Sequence, residues 1–127
     1  MVATHGYPAD GIKSSVGILT GREDCITCID AYVDQSDYTP QLRAFIDSVE
    51  EGDEAVIFTD MYGGSVNQKV VTMKPEERGI FLVTGFNLMV VLGACGAIHA
   101  FRVRLRWDFV ASIFVAALLL LMIFCDF

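Results

Sequence analysis

The sequence predicts an α/β domain: an open, doubly wound, mainly parallel four-stranded sheet with helices on both faces. Three observations carry that expectation. Short apolar runs alternate along the chain with segments whose apolar residues recur at helical spacing. Two of those runs, Met1-Val2-Ala3 and Ala55-Val56-Ile57-Phe58-Thr59, end in polar, glycine-bearing turns, Thr4-His5-Gly6 and Asp60-Met61-Tyr62-Gly63-Gly64-Ser65. A β-α repeat of this order closes as a parallel sheet with right-handed crossovers. At 127 residues the chain is long enough for one cored domain and too short for two.

Each element has its own local reason. Residues 1–4 read as a first strand, unusually short, as though the chain start were clipped or misassigned. Residues 8–19 form a first helix, with Ile12, Val16 and Leu19 on one face and Gly21 as its stop. Residues 26–33 make a second strand. A second helix opens at Thr39-Pro40, proline being tolerated in the first turn. Leu42, Phe45, Ile46 and Val49 form its apolar face, and Gly52 ends it. Residues 55–59 are the third strand, and 65–73 the third helix, with Ser65 placed as its N-cap. Residues 80–84 are the fourth strand, and a fourth helix begins at Asn87, itself a plausible cap.

In a parallel sheet the two glycine-bearing turns open onto the same edge, where open α/β folds place their chemistry. His5 and Asp60 are therefore offered to one crevice. An imidazole ordinarily titrates at about 6.5, so its neutral, nucleophilic form is plentiful near neutrality. A carboxylate accepting Nδ1–H selects the tautomer that leaves Nε2 free as a nucleophile. Backbone N–H groups of Gly63, Gly64 and Ser65, with a helix N-terminus behind them, are expected to cradle the transferred anion. That chemistry calls for no metal and no other cofactor.

Charge and cysteines narrow the classes further. A net charge of −7 argues against a nucleic-acid partner, which needs Lys/Arg patches. Four cysteines occur, and the Cys25-x-x-Cys28 pair has no second CxxC or His-x-His to complete a zinc site, so it reads as ordinary thiols in a reducing compartment. The first apolar run is too short for a cleavable signal peptide. His99 reads as incidental, and Lys13 and Arg22 as solvated surface cations.

His5-Gly6, Gly11-Ile12-Lys13-Ser14-Ser15, Asp60-Met61-Tyr62-Gly63-Gly64-Ser65 and Gly85-Phe86-Asn87-Leu88, in that order, resemble the IIA domain of the mannose-family sugar phosphotransferase system. The resemblance covers about residues 1–95, and the domain it implies is 1–96. It implies a flavodoxin-like layering and a cytoplasmic phosphocarrier. His5 accepts a phosphoryl group from the phosphocarrier HPr and passes it to a IIB component, serving the membrane permease components IIC and IID indirectly. Asp60 orients the histidine, and Gly63, Gly64 and Ser65 hold the phosphoryl group. The resemblance also implies a homodimer and no cofactor. The alternative is a regulatory phosphorylatable domain of the same fold, controlling a transcription activator or a kinase. A receiver phosphorylated on Asp60 is a further rival, but receivers need an acidic pair after the first strand to hold Mg²⁺, and Thr4-His5-Gly6 supplies none.

Val66 and Met89 stand where the family commonly has proline. The larger departure is residues 97–127. Arg102, Arg104 and Arg106 precede a 17-residue run, 109–125, with no charge and only Ser112 polar. Such a run is near the lower limit for a transmembrane helix, where ~20 apolar residues are typical. The arginines would then favour a cytoplasmic N-terminal side, at the inner face of the membrane. The other reading is a non-native tail from a change of reading frame.

Overall fold

The structure, a computed structural model, describes residues 1–102. Four strands, β1 (Val2–His5), β2 (Cys28–Ala31), β3 (Val56–Thr59) and β4 (Phe81–Thr84), form one parallel sheet in the order β2-β1-β3-β4. Helices α1 (Pro8–Thr20), α2 (Thr39–Ser48), α3 (Ser65–Thr72) and α4 (Leu88–Arg102) alternate with them. This is the expected α/β architecture. Met1–Leu88 forms one compact unit, and the chain from Met89 belongs to a second. Among the described residues no helix is long and apolar enough to cross a membrane. The 109–125 run lies outside the described residues.

Strand alternation divides the packing into two layers. Ala3, Ile29, Ala31 and Ile57 face one way and form a buried cluster with Leu42 and Ile46 of α2 and Val66 and Val70 of α3. Val2 and Thr4 point to the opposite face, which α1 covers. There the Thr4 hydroxyl accepts a hydrogen bond from the Ala9 N–H (3.1 Å), and the Cys28 thiol donates to the Ala9 carbonyl (3.3 Å). Thr4 thus satisfies a first-turn donor of α1 that its N-cap, Tyr7, leaves open. Leu42 is fully buried at the centre of the larger cluster. Leu42→Ala is expected to cost about 2–5 kcal/mol through lost transfer energy and the cavity left behind. Urea denaturation measures it, and a loss below about 1 kcal/mol would mean that α2 and α3 close the gap.

Several boundaries differ from the sequence reading. The second strand covers only Cys28–Ala31, because a 3₁₀ turn at Glu23–Cys25 precedes it and Tyr32 turns left-handed (φ 65°) directly after it. The second helix ends at Ser48 with Val49 extended, several residues before Gly52. Gly64, not Ser65, occupies the N-cap of α3, and Ser65 is its first helical residue. Its hydroxyl makes no capping bond because it is directed at His5. Cys25 is exposed, its thiol donating to the Arg22 carbonyl (2.9 Å), and Cys28 is half-buried. Burial and the charge of Asp10 push the Cys28 thiol up to about 11, which keeps it protonated and unreactive.

Candidate active site

The sheet splits where β1 leaves β3. Val2 pairs with Phe58 and Ala3 with Thr59, and beyond that pair the β1–β3 ladder stops. On its other side β1 continues along β2 through the His5–Ala31 pair, and the Gly6 N–H donates to the Ala31 carbonyl (2.9 Å). Alternation then turns the His5 N–H toward the β3 side, where no backbone acceptor follows. The Asp60 carboxylate supplies one: Oδ2 accepts the His5 backbone N–H at 2.8 Å. Strand order reverses at this point, β2 lying to one side of β1 and β3 to the other, which is where open α/β sheets form their crevice.

The same Oδ2 meets His5 Nδ1 at 2.8 Å. An ionised carboxylate can only accept, so Nδ1 carries the hydrogen, and in the neutral ring Nε2 keeps its lone pair. Ser65 Oγ lies 2.9 Å from Nε2 and donates to it. Asp60 Oδ1 accepts the Met61 N–H (2.9 Å), which fixes the second carboxylate oxygen. Burial opposes ionisation of Asp60, but the His5 backbone and ring hydrogen bonds, the His5 charge and the Met61 N–H outweigh it and hold the carboxyl below its usual range. The His5 side chain remains about a third exposed, at 36%. A backbone-bonded carboxylate, an oriented imidazole and a hydroxyl thus stand in line, with the far nitrogen reachable from solvent.

Residues 61–64 form the turn that delivers Ser65. The Gly63 N–H donates to Asn67 Oδ1 (3.0 Å) and the Gly64 N–H to the Met61 carbonyl (3.2 Å). Those two amides are therefore engaged within the turn, contrary to the expectation that they face an anion. The donors left without intrahelical acceptors are those of the first turn of α3, starting at Ser65. The glycines serve geometry instead. A Cβ on Gly64 would lie 3.0 Å from Met61 Cε, 3.3 Å from the Met61 carbonyl and 3.4 Å from His5 Cε1, so a side chain there would press on the imidazole. Gly6, with φ 66°, takes the chain out of β1 in a left-handed turn that side chains resist.

Two residues outside the sequence-derived set complete the surroundings. Asn67 is 4% exposed, and its Nδ2 donates to the buried Thr59 hydroxyl (3.1 Å), so one amide bolts the turn to the end of β3. Asparagine in the middle of a short amphipathic helix resembles any exposed position, and only its spacing after Gly-Gly-Ser hinted at more. The Tyr32 ring stacks on the His5 imidazole, with centroids 5.3 Å apart and planes 16° from parallel. Tyr38 donates to the Tyr32 hydroxyl at 3.3 Å. Hydrogen bonds with Ser65 and Tyr38, and the charge of Lys69, hold the Tyr32 phenol below its usual range despite slight desolvation. Burial and the bond to Tyr32 push Tyr38 upward.

Comparisons with known proteins agree with this architecture. The sequence pattern of the EIIA-man family, described as "PTS system fructose IIA component", matches residues 1–103. A crystal structure of a phosphoenolpyruvate-dependent sugar phosphotransferase system (PTS) permease from Klebsiella pneumoniae is similar at 31% identity and a TM-score of 0.63, covering 76% of this chain and 71% of that one. The phosphotransferase system component EIIA from Streptococcus agalactiae has the same fold at 21% identity and a TM-score of 0.63, covering 91% of this chain and 88% of its own. No curated protein matches the chain. With a family pattern over residues 1–103 and a fold shared with these solved phosphotransferase-system proteins, this chain belongs to the mannose/fructose family of IIA components of the sugar phosphotransferase system.

Proposed function

We propose that the protein is a histidine phosphocarrier, taking a phosphoryl group from phospho-HPr onto His5 Nε2 and handing it to a IIB component at the cytoplasmic side of the membrane. The observation that carries this reading is the Asp60–His5–Ser65 alignment, 2.8 Å at Nδ1 and 2.9 Å at Nε2. The lone pair on Nε2 attacks phosphorus while the P–N bond of the donor phosphohistidine breaks and its electron pair returns to the donor ring. Nδ1 keeps its hydrogen, and Asp60 supports the positive charge that develops on the ring. The Ser65 hydroxyl, displaced from Nε2 by the new N–P bond, turns its hydrogen to a phosphoryl oxygen. First-turn N–H groups of α3 and the positive end of its dipole face the same anion. Transfer to the IIB component runs the sequence in reverse, with the acceptor nucleophile replacing HPr. All of these residues fall within the proposed 1–96 domain.

The test is reconstitution. Incubated with phosphoenolpyruvate, enzyme I and HPr, the protein should gain one acid-labile phosphoryl group and lose it when a IIB component is added. A hydroxylamine-sensitive, acid-stable adduct would instead mark an acyl phosphate and overturn the assignment to histidine.

A further inference from the structure

Tyr32 belongs to none of the motifs that define the site, yet its ring lies against the residue at its centre. We propose that Tyr32 is a positioning residue for phosphoryl transfer, its ring setting the plane of the His5 imidazole so that Nε2 faces the incoming phosphorus. This inference rests on His5 being the phosphoryl acceptor.

The geometry supplies the argument. Hydrogen bonds hold the ring at Nδ1 to Asp60 and at Nε2 to Ser65, but Nε2 gives up the Ser65 bond as it attacks phosphorus, and a ring then held at one atom can tilt out of its plane. A parallel aromatic face at 5.3 Å opposes that tilt from one side. Tyr32 is itself anchored. The Tyr38 ring meets it edge-on (5.6 Å, 77°), the Tyr38 hydroxyl donates to its hydroxyl at 3.3 Å, and Tyr38 in turn carries Lys69 Nζ over its face at 4.4 Å. Lys69 is fixed by the Thr39 hydroxyl at 3.0 Å. A chain of contacts therefore runs from α3 and the start of α2 through two tyrosines to the imidazole.

The backbone points the same way. Ala31 is the ladder partner of His5, and Tyr32, the next residue, takes φ 65°, a conformation that bulky side chains rarely adopt. That left-handed step accompanies the ring's return over His5 at the sheet edge. Core packing offers no compensation, because Tyr32 is 55% exposed. Backbone strain held without burial concentrates where geometry serves function.

The experiment measures transfer from phospho-HPr in the full-length protein, separating kcat from KM. Tyr32→Gly removes the ring and relaxes the left-handed backbone. Relief of that strain offsets the added freedom of the unfolded chain, so the variant should melt close to wild type. Its kcat should fall about 10- to 100-fold, the scale of a misplaced reacting atom, with KM nearly unchanged. Tyr32→Leu, which keeps bulk but has no flat face, should be equally slow, and it serves if the glycine variant is unstable. Tyr32→Phe preserves the stack and should recover kcat to within about threefold of wild type. Wild-type kcat in both Tyr32→Gly and Tyr32→Leu, or a phenylalanine variant as slow as they are, would overturn the proposal. So would a rise in KM alone, which would make Tyr32 a docking contact. Failure of the underlying assignment is told apart by His5→Ala: undiminished labelling there removes His5 itself, whatever the Tyr32 variants do.

Discussion

His5→Ala protein should take up no acid-labile phosphoryl group from phosphoenolpyruvate, enzyme I and HPr, while His99→Ala should label as fully as wild type. The expected loss is complete because, among the described residues, no other group near His5 combines a free lone pair with this setting. Asp60 is engaged at both oxygens, and the Ser65 hydroxyl has no base to take its proton once the imidazole is gone. The fold should survive. The backbone N–H of His5 still reaches Asp60 Oδ2, and alanine suits a strand end beside Ala31. Radiolabelling with acid and base washes provides the measurement, with circular dichroism to establish that the variant is folded. Equal labelling of His5→Ala and wild type would sink the site.

Asp60→Asn should be the next most damaging change, slowing transfer by a factor on the order of 10²–10⁴ with the sheet intact. The amide oxygen can still accept the His5 backbone N–H, but it no longer supports an imidazolium. It can also present its NH₂ to the ring, which inverts the tautomer. A wild-type rate in the Asn variant would reduce Asp60 to a structural clasp. Acid stability offers a second readout. Because the carboxyl is held below its ordinary value of about 3.9, its contribution is fully present above that pH. It is lost as pH falls through the folded-state value beneath it. Wild type should therefore lose stability toward the Asn variant below about pH 4, as denaturant midpoints measured across the acid range would show.

Much of this was legible in the residues because the site sits at strand ends. An apolar run stopping at His5 and another stopping at Asp60 place both on one edge of any parallel sheet, whatever the register. Ser65 reads from the sequence as an N-cap, because hydroxyl residues before helices usually cap them, and only the three-dimensional proximity of His5 redirects this one. Tyr32 was hidden for a different reason. The apolar alternation runs on through Val33, so the stretch reads as strand, and nothing local announces that the chain turns left-handed after Ala31. The engagement of the Gly63 amide was equally hidden, because it depends on a side chain four residues ahead, Asn67, reaching back. Periodicity reports which face a residue prefers; it does not report which backbone donors a distant amide will take.

One oxygen of Asp60 receives both the backbone and the ring of His5, and this narrows the variation the site can absorb. In most active sites the atom that tunes a nucleophile and the atom that closes the scaffold are different, so each can drift while the other is kept. Here they coincide. Lengthening the side chain to glutamate would move the acceptor away from the strand end and the imidazole together. Exchanging the charge for a neutral amide keeps the clasp and gives up the electrostatics. Under the proposed phosphocarrier reading, the route to faster or slower transfer therefore lies at the periphery, in the aromatic pair and the Gly-Gly-Ser turn, where contacts with His5 can shift by small steps while the sheet edge stays shut.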